Sequence, residues 1–195
     1  WDNLLDISQS TSSATGGMGI LLTGSVGSIV YNNTVYGPAA TTNPAITQTT
    51  TSTGTLVKNN IFWTGKYASV DASSQSGSAY DYNDYYSAPG TPFTWGGTSY
   101  NFANWKTNSS QDSHSLNSDP ALANAASGDF TLRMGSPAID AGTNLGSTYQ
   151  QALPPGTSWP GGAGLGNQNS YGGWEIGAYV FPTIKATLAL MGCCD

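Results

Sequence analysis

Acidic and basic side chains are scarce in this sequence, since Asp, Glu, Lys and Arg make up 8% of its 195 residues. Three of them, Lys66, Asp71 and Asp81, lie close together along the chain and are candidates for a catalytic centre. Proton abstraction needs a positioned base, and a calcium ion needs several hard oxygen ligands. Lys66 and Asp71 can meet near one loop, but a solvated surface pair is the simpler interpretation and the one we favour.

Asp112 and His114 are a second candidate, because an acid two residues from a histidine suggests acid–base chemistry. The sequence has one histidine and places no obvious nucleophile beside it. We therefore do not favour a catalytic role for this pair. Asp81 and Asp84 flank Asn83 and can serve as caps of a chain corner.

A repeated pattern indicates which elements hold these side chains. Residues 28–37 reappear as residues 55–65, and a fainter copy follows at residues 78–86. The second asparagines of the copies, Asn33, Asn60 and Asn83, are separated by 27 and 23 residues. A period of this length is typical of a solenoid.

Strand alternation places one side of each copy inside the fold. The positions three before and two after the repeated asparagine are all apolar or aromatic: Val30, Val57, Tyr80, Val35, Phe62 and Tyr85. Circuits stacked in parallel lie about 4.8 Å apart. An inward asparagine at one corner can then bond its neighbours above and below, so we predict a structural ladder of Asn33, Asn60 and Asn83.

The positions three after each ladder asparagine are Tyr36, Trp63 and Tyr86, which alternation directs outward. Two interpretations of this aromatic row remain. The rings can bind a ligand, because sugar rings lie on apolar aromatic faces while their hydroxyls stay wet. Alternatively, the row is the floor under a C-terminal covering segment, with one of three tryptophans packed on it: Trp95, Trp105 or Trp174.

Later motifs resemble those of a known group of proteins. They are Asp-Pro at 119–120, Gly-Asp-Phe-Thr-Leu at 128–132, Ser-Pro-Ala-Ile-Asp-Ala-Gly at 136–142 and Glu-Ile-Gly-Ala-Tyr at 175–179. With the repeat, they resemble the right-handed parallel β-helix superfamily of pectate-lyase-like proteins, and in particular the C-terminal portion of a secreted bacterial β-helix repeat protein. Relatives usually carry Asp at the position of Glu175 and Glu at that of Val180, and an Arg common before this closure is missing from 161–173.

The resemblance implies an all-β fold, a right-handed parallel β-helix (solenoid) of few rungs with an irregular C-terminal covering segment. Rungs are expected in 1–88, the covering and closing segment of the same domain in 89–181, and a tail in 182–195. Within the covering segment we predict a short helix at 101–106 and strands at 128–133 and 175–181.

The same fold supports lyases, hydrolases, epimerases and adhesins, so it does not settle activity. Relatives with lyase activity bind substrate along the first-sheet face, with Ca²⁺-binding carboxylates and a Lys or Arg base. The corresponding strands here, 19–23 and 45–50, contain no acid or base. We infer that these two rungs carry no lyase or hydrolase centre, and that only the third circuit has charge enough for one.

Composition and charge limit the classes of partner that this protein is expected to bind. A net charge of −6 with five Lys and Arg residues argues against nucleic acid and anionic membranes. No apolar run is long enough for a membrane span. A chain so poor in charge suits a secreted, extracellular or cell-surface protein. Because it begins at Trp1 without the polar cap that a solenoid end needs, we expect a processed or cropped product that lacks upstream rungs.

We interpret the chain as an extracellular β-helix module that binds, or is presented to, a polysaccharide or cell-surface glycan. One alternative is a polysaccharide lyase or glycoside hydrolase whose catalytic rungs are missing or lie in the third circuit. Another is a structural surface protein that forms filaments end to end. Cys193 and Cys194 are either free thiols or a means of joining two chains. No cofactor or metal site is predicted, and the sequence offers no support for a Ca²⁺ site.

Overall fold

The computed structural model describes residues 1–8, 19–38, 44–154 and 164–182. Short β-strands dominate this part of the chain, as expected for segments rich in β-branched and aromatic residues between Asn and Gly corners. The strands that build its parallel sheets are, in chain order, β1 (Leu4–Asp6), β2 (Ile20–Thr23), β3 (Ile29–Tyr31), β4 (Thr34–Gly37), β5 (Ile46–Thr49), β6 (Leu56–Lys58), β7 (Ile61–Thr64), β8 (Ala68–Val70), β9 (Ala79–Asp81), β10 (Asp84–Tyr86) and β11 (Phe93–Trp95).

The chain visits three parallel sheets in turn. The first sheet contains β2, β5, β8 and β11, the second β3, β6 and β9, and the third β1, β4, β7 and β10. Each strand pairs in parallel with its counterpart in the next circuit, so that Val30 lies opposite Val57 and Tyr36 opposite Trp63. The structure therefore confirms the prediction of a mainly β chain with parallel sheets.

A left-handed residue turns the chain from the second sheet to the third in each circuit. Asn32 and Asn59 have φ values of 52° and 56° at this corner, and Tyr82 has 55° in the third copy. Asparagine tolerates this conformation better than other side chains except glycine, which explains the first asparagine of each Asn-Asn pair. Tyr82 departs from this preference, and its ring stacks on the ring of His114.

The second asparagine of each pair points inward and forms a column of amides. Asn33 Nδ2 donates to Asn60 Oδ1 at 2.8 Å, and Asn60 Nδ2 donates to Asn83 Oδ1 at 2.9 Å. The same acceptor oxygens receive the backbone N–H of Asn33 at 2.9 Å and of Asn60 at 3.0 Å. All three side chains are buried, so these bonds satisfy groups that water does not reach.

The space between the three sheets is filled by apolar and aromatic side chains. The interior positions inferred from alternation are all buried there: Val30, Val57, Tyr80, Val35, Phe62 and Tyr85. Phe62 and Tyr85 stack with ring centroids 5.4 Å apart. Gln48 is one of the buried polar residues, and its amide donates to Ser52 O at 2.8 Å and to Ser78 Oγ at 3.0 Å.

Residues 93–118, the end segment, close the interior below the last circuit. Strand β12 (Thr98–Tyr100) pairs antiparallel with β11, and helix α1 (Phe102–Ser109) follows. The Asn101 side chain accepts from Asn104 N at 2.9 Å, which confirms the predicted short helix and its cap. From α1, Trp105 is fully buried and stacks on Phe93 with centroids 4.7 Å apart.

The described residues of 119–154 and 164–181, from here on called the covering segment, pack on the outer face of the third sheet. They contain two antiparallel pairs: β13 (Leu122–Asn124) with β14 (Asp129–Leu132), and β15 (Gln151–Ala152) with β16 (Gly166–Asn167). The predicted strand at 128–133 is thus present. The predicted strand at 175–181 is wrong, because this segment makes only an isolated bridge of Tyr179 to Leu153.

Gly177 explains why residues 175–181 cannot continue as a strand. Its φ is 107°, and a Cβ there would lie 2.6 Å from Ile61 Cδ1 on β7. The chain bends here to press its backbone onto the third sheet, where Gly177 N donates to Asn59 O at 2.8 Å. Ala178 N then donates to Thr34 Oγ1 at 3.1 Å.

Two expectations concern the membrane and the tail. In the parts of the chain that the structure describes, no helix is long and apolar enough to cross a membrane. Cys193 and Cys194, with the tail beyond Pro182, lie outside the described residues. The predicted self-association through these cysteines therefore stays a prediction.

Replacing Asn60 by Ala should lower the free energy of unfolding by about 1–3 kcal/mol. The substitution removes the acceptor of the Asn33 backbone N–H and of Asn33 Nδ2, which both stay buried. Urea denaturation followed by circular dichroism measures the change. The matched variant Asn124→Ala, at an exposed position, should stay within about 0.5 kcal/mol of the parent. Equal stability of all three proteins would contradict the role given to the column.

Candidate functional site

The aromatic row predicted on the outer face lies on the third sheet. The strand register places Tyr36 opposite Trp63 and Trp63 opposite Tyr86. The rings touch in edge-to-face fashion, with centroids 5.2 Å apart for the first pair and 5.0 Å for the second. We call these three residues the aromatic row.

The covering segment buries one end of the aromatic row. Tyr36 is buried and meets Phe130 of β14 at a centroid distance of 5.5 Å. Trp63 and Tyr86, at the other end, remain half-buried. The row is therefore partly a floor and partly an accessible surface, and neither sequence interpretation describes all of it.

The tryptophans predicted to pack on the row lie elsewhere. Trp105 is in the interior, and Trp95 contacts it edge to face at 5.4 Å. Trp174 is buried in the covering segment, where its indole N–H donates to Asn169 Oδ1 at 2.9 Å. The interpretation that a tryptophan packs on the aromatic row is therefore corrected. The ring that packs on Tyr36 is that of Phe130, from the hairpin of β13 and β14.

Polar groups border the exposed end of the aromatic row. The Asp119 carboxylate lies beside the Tyr86 hydroxyl, and its negative charge raises the pKa of that hydroxyl. The neighbouring Ser118 donates its backbone N–H to Asp84 Oδ1 at 3.2 Å. An apolar ring surface with hydroxyl, carboxylate and amide groups at its edge is the combination that binds a sugar: the rings contact its C–H face and the polar groups bond its hydroxyls.

Asp84 lies directly beneath this border and is fully buried. Burial raises its pKa to about 7 despite the hydrogen bonds from Ser118, and its Oδ2 has no hydrogen-bond partner. Glu175 resembles it in the covering segment, because burial and the nearby Asp140 carboxylate raise its pKa to about 7. Glu175 Oε1 accepts from Phe181 N at 3.0 Å, while Oε2 is unpartnered.

The histidine lies at a different surface, at the corner of the third circuit. His114 Nδ1 is 2.7 Å from Asp81 Oδ2, and the His114 backbone N–H donates to Asp81 Oδ1 at 2.7 Å. The His114 ring stacks on Tyr82 with centroids 4.7 Å apart. Partial burial works to raise the pKa of Asp81, but the bonds from His114 outweigh it and the pKa is lowered.

This Asp81–His114 pair has the geometry of an oriented imidazole. An ionised Asp81 holds the Nδ1 side, so the lone pair of Nε2 is directed away from the carboxylate. A surface cavity of about 390 Å³ lies nearby and is lined by Lys106, Thr107, Ser110, Gln111 and Ser113. Ser113 Oγ is 3.0 Å from Nδ1, the nitrogen already held by Asp81, and is therefore not placed as a nucleophile.

Lys66 and Asp71 do not meet. They flank the two ends of β8, and an extended strand separates their Cα atoms by roughly 16 Å at ~3.3 Å per residue. Asp71 instead accepts from Thr49 Oγ1 at 3.0 Å and from Ser73 Oγ at 2.8 Å. Bonds from Ser74, Ser73 and Thr49 lower its pKa to about 2. Asp71 therefore stabilises a corner of the chain, and the considered pairing of Asp71 with Lys66 is not present.

Asp112 is a structural group and not the partner of His114. It is buried at the end of the asparagine column, where Asn83 Nδ2 donates to its Oδ1 at 3.1 Å. Its Oδ2 accepts from Trp105 Nε1 at 2.7 Å and from the Tyr85 hydroxyl at 3.0 Å. Burial raises the pKa of Asp112, against the opposing effect of these donors.

Sequence reasoning missed both ends of the column. Asn3 is the other end, since its Nδ2 donates to Asn33 Oδ1 at 2.9 Å. The sequence did contain a signal for Asn3, because Leu5 follows it by two residues, as Val35 follows Asn33. Asp2 precedes Asn3 at the corner position, and in the structure its φ is 57°. Asp112 carries no such signal, because it lies outside the repeat.

The outer face of the first sheet carries hydroxyl groups in place of charge. Thr47, Ser69 and Thr94 lie opposite one another along it. Among the described residues, no group of three His, Cys, Asp or Glu side chains is arranged to hold a metal ion.

Comparison with known proteins adds no family to this description. No family model, no curated protein and no solved structure matches the chain. The functional assignment therefore rests on the aromatic row, its polar border and the Asp81–His114 pair.

Stability should fall as the pH rises from about 4 to about 7. Burial raises the pKa of Asp84 from 3.8 to about 7, so in this window the folded protein binds a proton that the unfolded chain has lost. The effect is at most about 4 kcal/mol for Asp84, at ~1.4 kcal/mol per pKa unit. Urea denaturation at pH 5 and pH 8 measures it.

The variant Asp84→Asn should show a smaller loss of stability between pH 5 and pH 8 than the parent. Asp129→Asn, which changes an exposed carboxylate on β14, serves as the control and should leave the pH dependence as it is. A parent protein equally stable at both pH values, or Asp84→Asn with the parental slope, would contradict the buried neutral carboxyl.

Proposed function

We propose that this chain is a right-handed parallel β-helix module of an extracellular or cell-surface protein, and that it binds polysaccharide at the exposed end of the aromatic row. Cyclic visits to three parallel sheets support the fold, since strand n pairs with strand n+3 throughout the repeat. The column of inward asparagines, which needs one such residue per circuit, supports it too. The handedness is part of the proposal.

The observation that carries the glycan proposal is the half-exposed pair Trp63 and Tyr86. Their rings meet at 73°, so they form a corner and not a flat platform. A corner of this kind fits one or two sugar units, with one ring beneath a sugar and the other against its edge. Asp119, beside the Tyr86 hydroxyl, can accept hydrogen bonds from sugar hydroxyls.

The charge of the chain favours a neutral glycan, or one that is bound through hydrogen bonds to its hydroxyl groups. With a net charge of −6 and a carboxylate at the binding corner, a polyanion such as polygalacturonate would meet repulsion. Neutral chains such as xylan avoid this cost. Within polysaccharides we therefore place neutral chains ahead of acidic ones.

A second candidate function is acid–base catalysis at the Asp81–His114 pair, favoured by the 2.7 Å contact that orients the imidazole. Asp81 lies in the third circuit, one of the two places that the lyase or hydrolase alternative allows, and His114 reaches it from the end segment. Within the described chain, Lys106 could supply a second charged group, but its Nζ donates to Ser113 O at 3.0 Å instead of meeting the imidazole. Binding without turnover is therefore the function we prefer.

Trp63→Ala should weaken binding to soluble xylan oligosaccharides by about tenfold or more, because loss of an aromatic contact of about 1.4 kcal/mol has that effect. Isothermal titration calorimetry on the full chain measures the affinity. Trp1→Ala is the matched control, since Trp1 is 50% exposed at the other end of the row's sheet and should leave the affinity unchanged. Equal loss in both variants, or none in either, would refute binding at this corner.

The parent protein should release no unsaturated or reducing ends from pectin, alginate or xylan, with or without added Ca²⁺. The first-sheet strands β2, β5, β8 and β11 carry no acid or base, and in the described chain Lys106 bonds Ser113 O instead of acting with the imidazole as a second group. Turnover that His114→Gln abolishes would establish the catalytic alternative at the Asp81–His114 pair. Turnover abolished by Lys66→Ala or Asp71→Ala would instead establish the Lys66 and Asp71 candidate centre, which the sequence alone does not favour.

A further inference from the structure

The aromatic row sets two directions in which a sugar chain can lie on the corner of Trp63 and Tyr86. The three rings come from the neighbouring strands β4, β7 and β10, which lie about 4.8 Å apart. A glycan stacked along the row therefore runs across the strands, and a glycan that crosses the row runs parallel to them. The residues at each side of the corner decide which part of a glycan can bind there.

The covering segment blocks the row on the side of Tyr36. Tyr36 is buried, and the Phe130 ring on β14 lies against it with centroids 5.5 Å apart. Leu132, on the same strand, is buried in the same apolar cluster, and Trp63 packs against this cluster. A sugar chain that follows the row from Tyr86 therefore meets the hairpin of β13 and β14 directly after Trp63.

The side towards the start of β7 and β10 is blocked as well. Two positions before the rings of the corner, and on the same face of the sheet, lie Ile61 and Asp84, which are both buried. Gly177 lies so close over Ile61 that a Cβ on it would be 2.6 Å from Ile61 Cδ1. Ser118 lies at Asp84 and donates its backbone N–H to Oδ1 at 3.2 Å. A sugar chain that runs parallel to the strands is therefore stopped at this side.

The side beyond Tyr86 is built differently. Leu116 forms a parallel bridge with Asp84, so that Ser118, two residues later, continues the row after Tyr86. Ser118 is half-buried and small, and the neighbouring Asp119 is exposed. A serine leaves room for a sugar beside Tyr86, and the Asp119 carboxylate can accept hydrogen bonds from its hydroxyls. The corner is therefore blocked on two sides, and its polar border lies on a third.

We propose that the corner of Trp63 and Tyr86 binds the end of a neutral polysaccharide chain and not units in its interior. The terminal sugar lies against Trp63, with its free end towards Phe130, and the rest of the chain leaves over Ser118. An interior sugar is linked on both sides, so a chain that lies along the row or along the strands would bring one of its neighbours into a blocked side. This assignment rests on the proposed glycan binding and adds which part of the glycan is bound.

The number of binding sites that a polysaccharide offers separates end binding from interior binding. The probes are a long and a short preparation of linear, soluble xylan fragments, compared at equal mass by isothermal titration calorimetry with the full-length chain. End binding predicts that fragments tenfold shorter offer about ten times as many sites per gram, because the number of chain ends grows in that proportion. The same number of sites per gram in both preparations would overturn end binding while glycan binding stands. Absence of binding to either preparation would refute glycan binding and end binding together.

Phe130→Ala tests the blocked side of the row. Removal of the ring uncovers Tyr36, so sugars in the interior of a chain should gain access, and the excess of sites in the short fragments should shrink. Leu132→Ala, on the same strand, removes apolar volume but leaves the ring on Tyr36, and should retain the parental ratio of sites. Thermal melts check that both variants fold. A folded Phe130→Ala with the parental ratio would overturn the role of Phe130, and if this variant unfolds, the two fragment lengths with the parent protein still decide between end and interior binding.

Discussion

The structure depends on keeping a buried side-chain amide satisfied at every circuit. An amide in the interior has donors and an acceptor that water does not reach, and leaving them unpaired costs about 1–3 kcal/mol each. Asn33, Asn60 and Asn83 meet this requirement through one another, because stacking in register places an identical group one strand spacing away. The register of the sheets and the path of the corner follow from this constraint.

The constraint also explains how the ends of the stack differ and where a function can lie. Asp112 ends the column and anchors the end segment through Trp105 and Tyr85, so this carboxylate serves structure and not acid–base chemistry. The covering segment then packs on the outside of the third sheet. It buries Tyr36 and packs against Trp63 without burying it fully, which leaves an aromatic corner at the surface beside Asp119.

The asparagine stack could be predicted because its sequence pattern repeats. The contacts of the segments that do not repeat could not be predicted in the same way. The spacing of Asn33, Asn60 and Asn83 was sufficient to infer the interior positions. The contact of Asp81 with His114 spans 33 residues across a non-repeating segment, and no local pattern encodes it. Lys66 and Asp71 are close in sequence, but the extended strand between them keeps the two side chains apart in space. Glu175 to Phe181 has the composition of a strand, but contact with Ile61 at Gly177 decides its path.

A double-mutant cycle between Asn33 and Asn60 tests the central claim most directly. The free energies of unfolding of the parent, Asn33→Ala, Asn60→Ala and the double variant give the coupling between the two amides. A direct bond at 2.8 Å between buried groups predicts a coupling of about 0.5–3 kcal/mol. Additive losses within about 0.3 kcal/mol would contradict the account, because the two asparagines would then stabilise the chain independently.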